Sequence, residues 1–416
     1  MLGESYIYRD RTLYCESVAL DDIVSRLGTP CYVYSAGSIL GRFNAYHSAF
    51  DATPHMICYA VKANSNLEIL RLLAEAGSGF DIVSGGELYR VMKAGGSPSK
   101  VVFSGVGKTA EEIAYAIDND IHCFNCESAS ELVLIDSIAA RHRNRVRVAF
   151  RVNPDIEAKT HPYISTGLRE HKFGIDFEEA EAVYQRALSF SHVVPESLSC
   201  HIGSQLLDTG PILEALDKML DLVDRLRAGG VPIKTLDLGG GLGVAYQDGD
   251  VAPPIPDFIR EMCRRAATRN LEVHIEPGRS IVGASGVLLT RVLYRKRTGE
   301  KEFVVVDAAM NDLLRPALYK AHHSIVPLRE APERGAIVAD VVGPVCETGD
   351  FLARDRSIAN LLPGDLLAIC TTGAYGFVLA SNYNSRLRPP EVLVDGAGWR
   401  IIRARETYGD LIQEEI

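Results

Sequence analysis

A lysine, Lys62, stands at the end of the short apolar run Met56-Ile57-Cys58-Tyr59-Ala60-Val61 and just before Ala63-Asn64-Ser65-Asn66, where a helix can begin. Lysine is almost never fully buried unless it is paired. Held at a strand end with a lowered pKa, its amine can attack a carbonyl. Taken alone, Lys62 is more simply a side chain that reaches from a strand end into solvent. Four further stretches place reactive or very small residues after similar apolar runs: Asp81-Ile82-Val83-Ser84-Gly85-Gly86-Glu87, His201-Ile202-Gly203-Ser204, Gly239-Gly240-Gly241 and Glu276-Pro277-Gly278-Arg279. A satisfied histidine, a glycine turn or a surface ion pair explains each one singly. Together they offer an amine nucleophile, carboxylates, an imidazole and backbone N–H groups able to approach an anion.

The elements that must position them follow from hydrophobic period. From about residue 35 the chain alternates short apolar runs with amphipathic patterns, the signature of βα units and a parallel sheet. The strand candidates are Ile57 to Lys62, Phe80 to Ser84, Val101 to Ser104, His122 to Cys126, Val146 to Val152, Leu198 to Ile202, Thr235 to Leu238 and Val273 to Glu276. Between them, sets such as Ile212, Leu213, Leu216, Met219, Leu220, Val223 and Leu226 recur at helical spacing. Eight such units predict an α/β fold, a (β/α)₈ TIM-type barrel, with a doubly wound sheet as the alternative. In the barrel, the C-terminal strand ends share one rim, where active sites lie.

After Gly278 the texture changes. β-Branched and aromatic runs follow without long helices between them: Val287 to Leu293, Glu302 to Val306, Ala336 to Val342, Asp365 to Ile369 and Glu391 to Val394. They predict a C-terminal all-β domain, a β-sandwich or Greek-key barrel, that also takes in the N-terminal strands Thr12-Leu13-Tyr14-Cys15 and Cys31-Tyr32-Val33-Tyr34. The expected division is a cofactor-binding barrel over 35–280 and a β-domain over 1–34 and 281–416.

Composition narrows the function. The 416 residues are 47% hydrophobic and 24% charged, with a net charge of -10. That is ordinary globular material, and the charge argues against a nucleic-acid partner or a general attraction to anionic membranes. No apolar stretch reaches membrane-span length, and Met1 to Tyr6 shows no secretory signal. Nine scattered cysteines, at 15, 31, 58, 123, 126, 200, 263, 346 and 370, do not form a disulfide framework, so a reducing cytoplasm is expected. Cys123 and Cys126 form a CxxC without a second ligand pair and are read as structural thiols, with no metal site.

The glycines after strand seven and the Pro-Gly-Arg after strand eight fall where barrels often bind phosphate. Gly239-x-Gly241-x-Gly243 is not the GxGxxG of a dinucleotide fold, and it comes late in the chain. A lysine amine, a carboxylate to keep a pyridine nitrogen protonated and a phosphate cradle are what pyridoxal 5'-phosphate requires of a protein. Lys62 is the amine and Glu276 the carboxylate, with His201 placed to lie against the ring.

At this point Tyr-Ala-Val-Lys-Ala-Asn, His-Ile-Gly-Ser-Gln, the Gly-Gly-Gly loop and Glu-Pro-Gly-Arg resemble the fold-type III pyridoxal-phosphate-dependent decarboxylases. Within them the chain is most similar to the branch acting on diaminopimelate, through Lys159 to Gly167, Met310 to Tyr319, Gly343 to Asp350 and Gly373-Ala374-Tyr375. The resemblance spans nearly the whole chain. It implies that Lys62 carries the cofactor, His201 stacks on it, Glu276 pairs with its ring nitrogen and Asp81 lies nearby. Ser204, Gly241, Gly278, Arg279 and Tyr375 would surround the phosphate, with Gly240 and Pro277 in the same cofactor-binding set. Arg279, Arg315 and Tyr319 would hold substrate carboxylates, with Tyr375 alongside, Glu347 reading the distal ammonium and Cys346 acting as proton donor. The Cys346-Glu347 segment would reach into the other subunit of a homodimer with shared active sites. One departure from the pattern is Thr348, where many relatives have serine.

The activity implied is decarboxylation of meso-2,6-diaminopimelate to L-lysine, the last step of lysine biosynthesis. Rival readings are a decarboxylase of ornithine, arginine or carboxynorspermidine, an amino-acid racemase, or a non-catalytic pyridoxal-phosphate-binding protein. The last resembles the barrel alone, so the β-domain motifs count against it. The stretch from Asp155 to Gly174 is long enough to cover a site.

Overall fold

The structure, a computed structural model, describes residues 2–156 and 172–416. The motif Lys159 to Gly167 and most of the expected cover, Asp155 to Gly174, lie outside the described residues. Packing divides the chain into a barrel unit, Arg42–Gly243 with Val251–Gly278, and a β-rich unit, Met1–Gly41 with Val244–Asp250 and Arg279–Ile416.

All eight expected barrel strands are present: β1 (His55–Ala60), β2 (Gly79–Ile82), β3 (Val101–Phe103), β4 (Cys123–Cys126), β5 (Val146–Asn153), β6 (Val193–Ser199), β7 (Thr235–Asp237) and β8 (Glu272–Ile275). Neighbours pair in parallel in chain order, and β8 pairs with β1 to close the barrel, so a doubly wound sheet is excluded. Helices cover the outer face, which is why β2, β3 and β4 read as continuously buried instead of alternating. A further two-residue strand, Ile175–Asp176, adds to the edge of β5.

Polar caps set the strand-to-helix turns at the rim. Asn66 accepts the Glu68 N–H at the start of α1 (Leu67–Glu75), and Ser84 accepts the Glu87 N–H at α2 (Gly85–Lys93). Thr109 and Glu112 form a reciprocal capping box at α3 (Ala110–Asp118), and Ser128 caps α4 (Ala129–Arg141). The outer layer continues with α5 (Ala180–Ala187), α6 (Gly210–Ala228) and α7 (Ile255–Ala266). In α6 the residues at helical spacing, Ile212, Leu216, Met219, Leu220, Val223 and Leu226, are buried as their period demands.

Strand ends differ from the expected limits in a consistent way. β1 stops at Ala60, and Lys62 sits in a 3₁₀ turn, Val61–Ala63, not on the strand. β6 starts five residues before Leu198 and ends at Ser199, with its register against β5 shifting between Val194 and Ser197. Pro195 lies in that shift, where the missing N–H cannot continue the ladder. His201 and Glu276 likewise fall just beyond their strands.

The β-rich unit is built on a mixed sheet. Its long strand Gly286–Thr298 pairs with the N-terminal strand Cys31–Ser35 and with Leu366–Ile369 through its first half, and with Lys301–Val306 through its second. Cys31–Ser35 is buried along its whole length and also runs parallel to Glu391–Asp395. The N-terminal strand therefore belongs to this unit, as expected. A meander of Tyr6–Arg9, Thr12–Cys15 and Val18–Ala19 contributes Leu13, Cys15 and Val18 to one core with Val33, Leu289 and Val392. The unit is not wholly β, since the helix Leu20–Leu27 buries Leu20, Ile23 and Val24 in that core. Among the described residues no helix is long and apolar enough to cross a membrane.

Candidate active site

In the barrel unit Lys62 Nζ lies 2.5 Å from Asp81 Oδ2. The lysine side chain is 38% exposed and the aspartate 0%. The partner of a partly open cation is thus a carboxylate with no access to water, and its second oxygen, Oδ1, is buried without a hydrogen bond among the described residues.

Glu276, just past β8, is buried, and its Oε1 accepts from Asn125 Nδ2 at 3.3 Å and from Ser104 Oγ at 3.4 Å. Asn125 Nδ2 also donates to Asp237 Oδ2 at 3.2 Å, and Asp237 Oδ1 accepts the Gly239 N–H at 2.9 Å. Burial, then the neighbouring Asp237 and Asp81, hold the Glu276 carboxyl well above the usual carboxylate range. Three buried acids with one lysine leave an excess of negative charge, which a cation meeting Glu276 would relieve.

His201 follows β6, and its Nδ1 accepts the Gly240 N–H at 3.3 Å, which leaves the ring proton on Nε2. Burial, then Arg151 and Lys62, push its pKa well below the ordinary value, so the imidazole is neutral. Arg151 on β5 donates to the His201 carbonyl at 3.2 Å and to Glu127 Oε1 at 3.4 Å.

The glycine loop is shaped by close approach. A Cβ on Gly240 would stand 2.2 Å from the Glu276 carbonyl oxygen, and Gly241 has φ +119 with the Gly203 carbonyl 2.6 Å from where its Cβ would be. Ser204 lies in the β6 loop, which runs beside this one through the Leu206 N–H to Gly241 O bond of 2.9 Å. Pro277 accepts the Ala60 N–H at 3.2 Å, and a Cβ on Gly278 would meet Ala63 Cβ at 2.9 Å. The structure thus brings Lys62, Asp81, His201, Gly240, Gly241, Glu276, Pro277 and Gly278 to one rim. The residue types fit pyridoxal 5'-phosphate: an amine, an acid near excess negative charge for a ring nitrogen, and bare backbone for a phosphate.

Sequence reasoning missed Ser104, Asn125, Glu127, Arg151 and Asp237. Asn125 and Asp237 lie at the ends of β4 and β7, so the strand-end rule that selected Lys62 could have found them. Arg151 lies inside an apolar strand, where a buried charge is itself a signal.

The other expected residues belong to the β-rich unit. Arg279 Nη1 donates to Tyr246 Oη at 2.7 Å, and its guanidinium lies 4.9 Å from the Tyr375 ring centroid. Arg315 lies 5.1 Å from the Tyr246 ring and 5.9 Å from that of Tyr319. Burial would raise the Tyr246 hydroxyl, but Arg279 and Arg315 bring it below its ordinary value. Behind them, fully buried His323 accepts from Arg315 Nε at 3.4 Å and donates from Nδ1 to the Cys370 carbonyl at 2.8 Å. Burial, then Arg315, lower its pKa to about 3, which keeps Nε2 an acceptor. Tyr246 and His323 are further residues that the sequence reading did not select.

Cys346 and Glu347 occupy an exposed turn. Asp350 pins it from below, its Oδ2 accepting the Val345 N–H and its Oδ1 the Met310 N–H, both at 2.7 Å. Asn384 Oδ1 accepts the Cys346 N–H at 2.9 Å. A thiol and a carboxylate are thereby presented outward on a held backbone.

Residues 36–283 match the family model described as the pyridoxal binding domain of pyridoxal-dependent decarboxylases. A closed barrel with an amine, an acid hub and a glycine cradle at its rim is the scaffold of that class. The chain is 53% identical to the diaminopimelate decarboxylase of Pseudomonas aeruginosa, with 99% of each chain covered, and 46% identical to that of Aquifex aeolicus, covering 98% of this chain and 97% of the other. Among solved structures, diaminopimelate decarboxylase from Helicobacter pylori complexed with L-lysine superposes with a TM-score of 0.92 at 44% identity, covering 95% of this chain and 99% of that one. The enzyme from M. jannaschii in co-complex with L-lysine gives 0.95 at 39%, covering 100% and 99%. The chain belongs to the diaminopimelate decarboxylase family.

Proposed function

We propose that this protein removes the carboxylate from the D-configured centre of meso-2,6-diaminopimelate, giving CO₂ and L-lysine. The observation that carries this reading is the rim of the barrel unit, where Lys62 Nζ meets buried Asp81 at 2.5 Å while Glu276 is held among Asn125, Ser104 and Asp237. Identity near 50% to diaminopimelate decarboxylases over the full chain supports the substrate.

When bound, pyridoxal 5'-phosphate supplies the electron sink that lets a carboxylate leave an α-carbon. Lys62 would anchor it through Nζ, and Asp81 orients that amine. Glu276 would keep a proton on the ring nitrogen, and the Nε2–H tautomer of neutral His201 would lie against the ring. Gly240, Gly241, Gly278 and Ser204 would take the phosphate, with Pro277, Arg279 and Tyr375 beside it. Arg279, Arg315 and Tyr319 would hold substrate carboxylates, since a planar guanidinium matches a carboxylate in a bidentate fashion. Two buried arginines favour a substrate with two amino-acid ends over ornithine. Glu347 would bind the distal ammonium, and Cys346 Sγ would return a proton to the carbon that lost CO₂.

The exposed Cys346 turn supports an obligate homodimer in which each subunit completes the other's site. The nine free cysteines support a reducing cytoplasm.

The direct test supplies meso-diaminopimelate with pyridoxal 5'-phosphate and measures lysine and CO₂. Equimolar production is expected, while production of putrescine or agmatine from ornithine or arginine, without lysine from diaminopimelate, would defeat the reading. The shared site has its own test. Cys346→Ala and Lys62→Ala proteins, each inactive alone, should regain about a quarter of wild-type activity when unfolded together and refolded, because half the dimers then carry one intact site. Activity that stays at the level of the separate variants would argue that each subunit holds a complete site.

A further inference from the structure

The β-rich unit carries a second polar cleft, of about 500 Å³, that none of the roles above uses. Its polar side is formed by Arg356, His322, Ser324 and Ser357 with Gln247 and Asp248, and its apolar side by Leu2, Ile325 and Val326. Arg356 is half-buried, and its Nη1 donates to the His323 carbonyl at 2.8 Å. Among the described residues it has no carboxylate partner. Burial lowers its pKa from the ordinary value. His322 Nδ1 and Ser324 Oγ both point to the Tyr246 carbonyl, at 3.2 and 3.3 Å.

We propose that this cleft binds the carboxylate of a small organic acid on Arg356 and that its occupancy is felt by Arg315. A guanidinium whose inner edge is tied to backbone, and which makes no ion pair among the described residues, is suited to a planar carboxylate. The apolar wall suits a short hydrocarbon body and not inorganic phosphate. The route to Arg315 is short. Arg356 and His322 hold the carbonyls of His323 and Tyr246, two of the residues whose side chains contact Arg315. A ligand that shifts Arg356 or His322 acts on the backbone that sets those side chains.

Binding and coupling are separable, and only the coupling rests on Arg315 holding substrate. Isobutyrate, titrated calorimetrically into the cofactor-loaded enzyme, should bind the wild type and Arg315→Met alike. Binding should weaken at least 10-fold in Arg356→Met, and equally in Ser357→Phe, which fills the cleft from an exposed strand position without touching the His323 bond. In the wild type, isobutyrate should raise KM for diaminopimelate with kcat unchanged, and Ser357→Phe should abolish that rise. Wild-type affinity in Arg356→Met or Ser357→Phe, loss of binding in Arg315→Met, or Arg356-dependent binding of inorganic phosphate as tight as that of isobutyrate would each overturn the carboxylate site. Binding without any change in KM would overturn the coupling alone.

Discussion

Lys62→Ala is expected to lower lysine production from diaminopimelate by at least about three orders of magnitude, because it removes the amine held at the rim against fully buried Asp81. Borohydride reduction of the wild type followed by mass spectrometry should place a cofactor adduct on the peptide containing Lys62, and the variant should show none. The substitution also strips Asp81 of its partner. Asp81 is fully buried while Lys62 is 38% exposed, so the stability cost is below that of a fully buried pair, about 1–2 kcal/mol. Lys62→Arg keeps a cation beside Asp81 but offers no amine for covalent attachment. Its expected profile is near-normal stability with activity as low as the alanine variant's. A Lys62→Arg protein that turned over substrate at the wild-type rate would remove Lys62 from the chemistry.

Glu276→Gln should retain the cofactor through Lys62 but lose about 10²- to 10³-fold in kcat, the cost of removing one positioned electrostatic partner from a buried site. A purely structural role predicts a different outcome, and pH separates the two. In the cofactor-free protein, burial and then Asp237 and Asp81 raise the Glu276 pKa above the unfolded value of about 4.5. Above that pH the folded state binds more protons than the unfolded one. Stability therefore falls as pH rises from there through the raised folded value. Glutamine cannot titrate, so denaturant titrations from about pH 5 to 8 should show a shallower decline for cofactor-free Glu276→Gln than for the wild type. Equal slopes together with full activity would sink the assignment.

The barrel was legible because its evidence is local. Each βα unit announces itself by a short apolar run, a cap such as Ser84 or Thr109, and helical spacing, and all eight strands fall where that pattern puts them. The limits were less legible. Lys62, His201 and Glu276 look like strand ends by composition, yet each sits one to two residues beyond, because the backbone must leave the ladder to aim them. In the β-rich unit, Cys31–Ser35 pairs with Gly286–Leu289 and Glu391–Val394, and no local pattern specifies partners so distant in the chain.

The sequence by itself determined the fold class, the rim and the reactive groups on it, since residue type, hydrophobic period and strand-end position are properties of short stretches. Only the tertiary structure decided how those groups are tuned. Ser104 and Glu276 are 172 residues apart and meet because parallel strands in closed register turn alternate side chains inward at one level. That convergence places Asn125 and Asp237 against Glu276, and it sets Asp81 against Lys62. Burial then converts the proximity into raised and lowered pKa values, because desolvation depends on what surrounds a group in space and not on its neighbours in the chain.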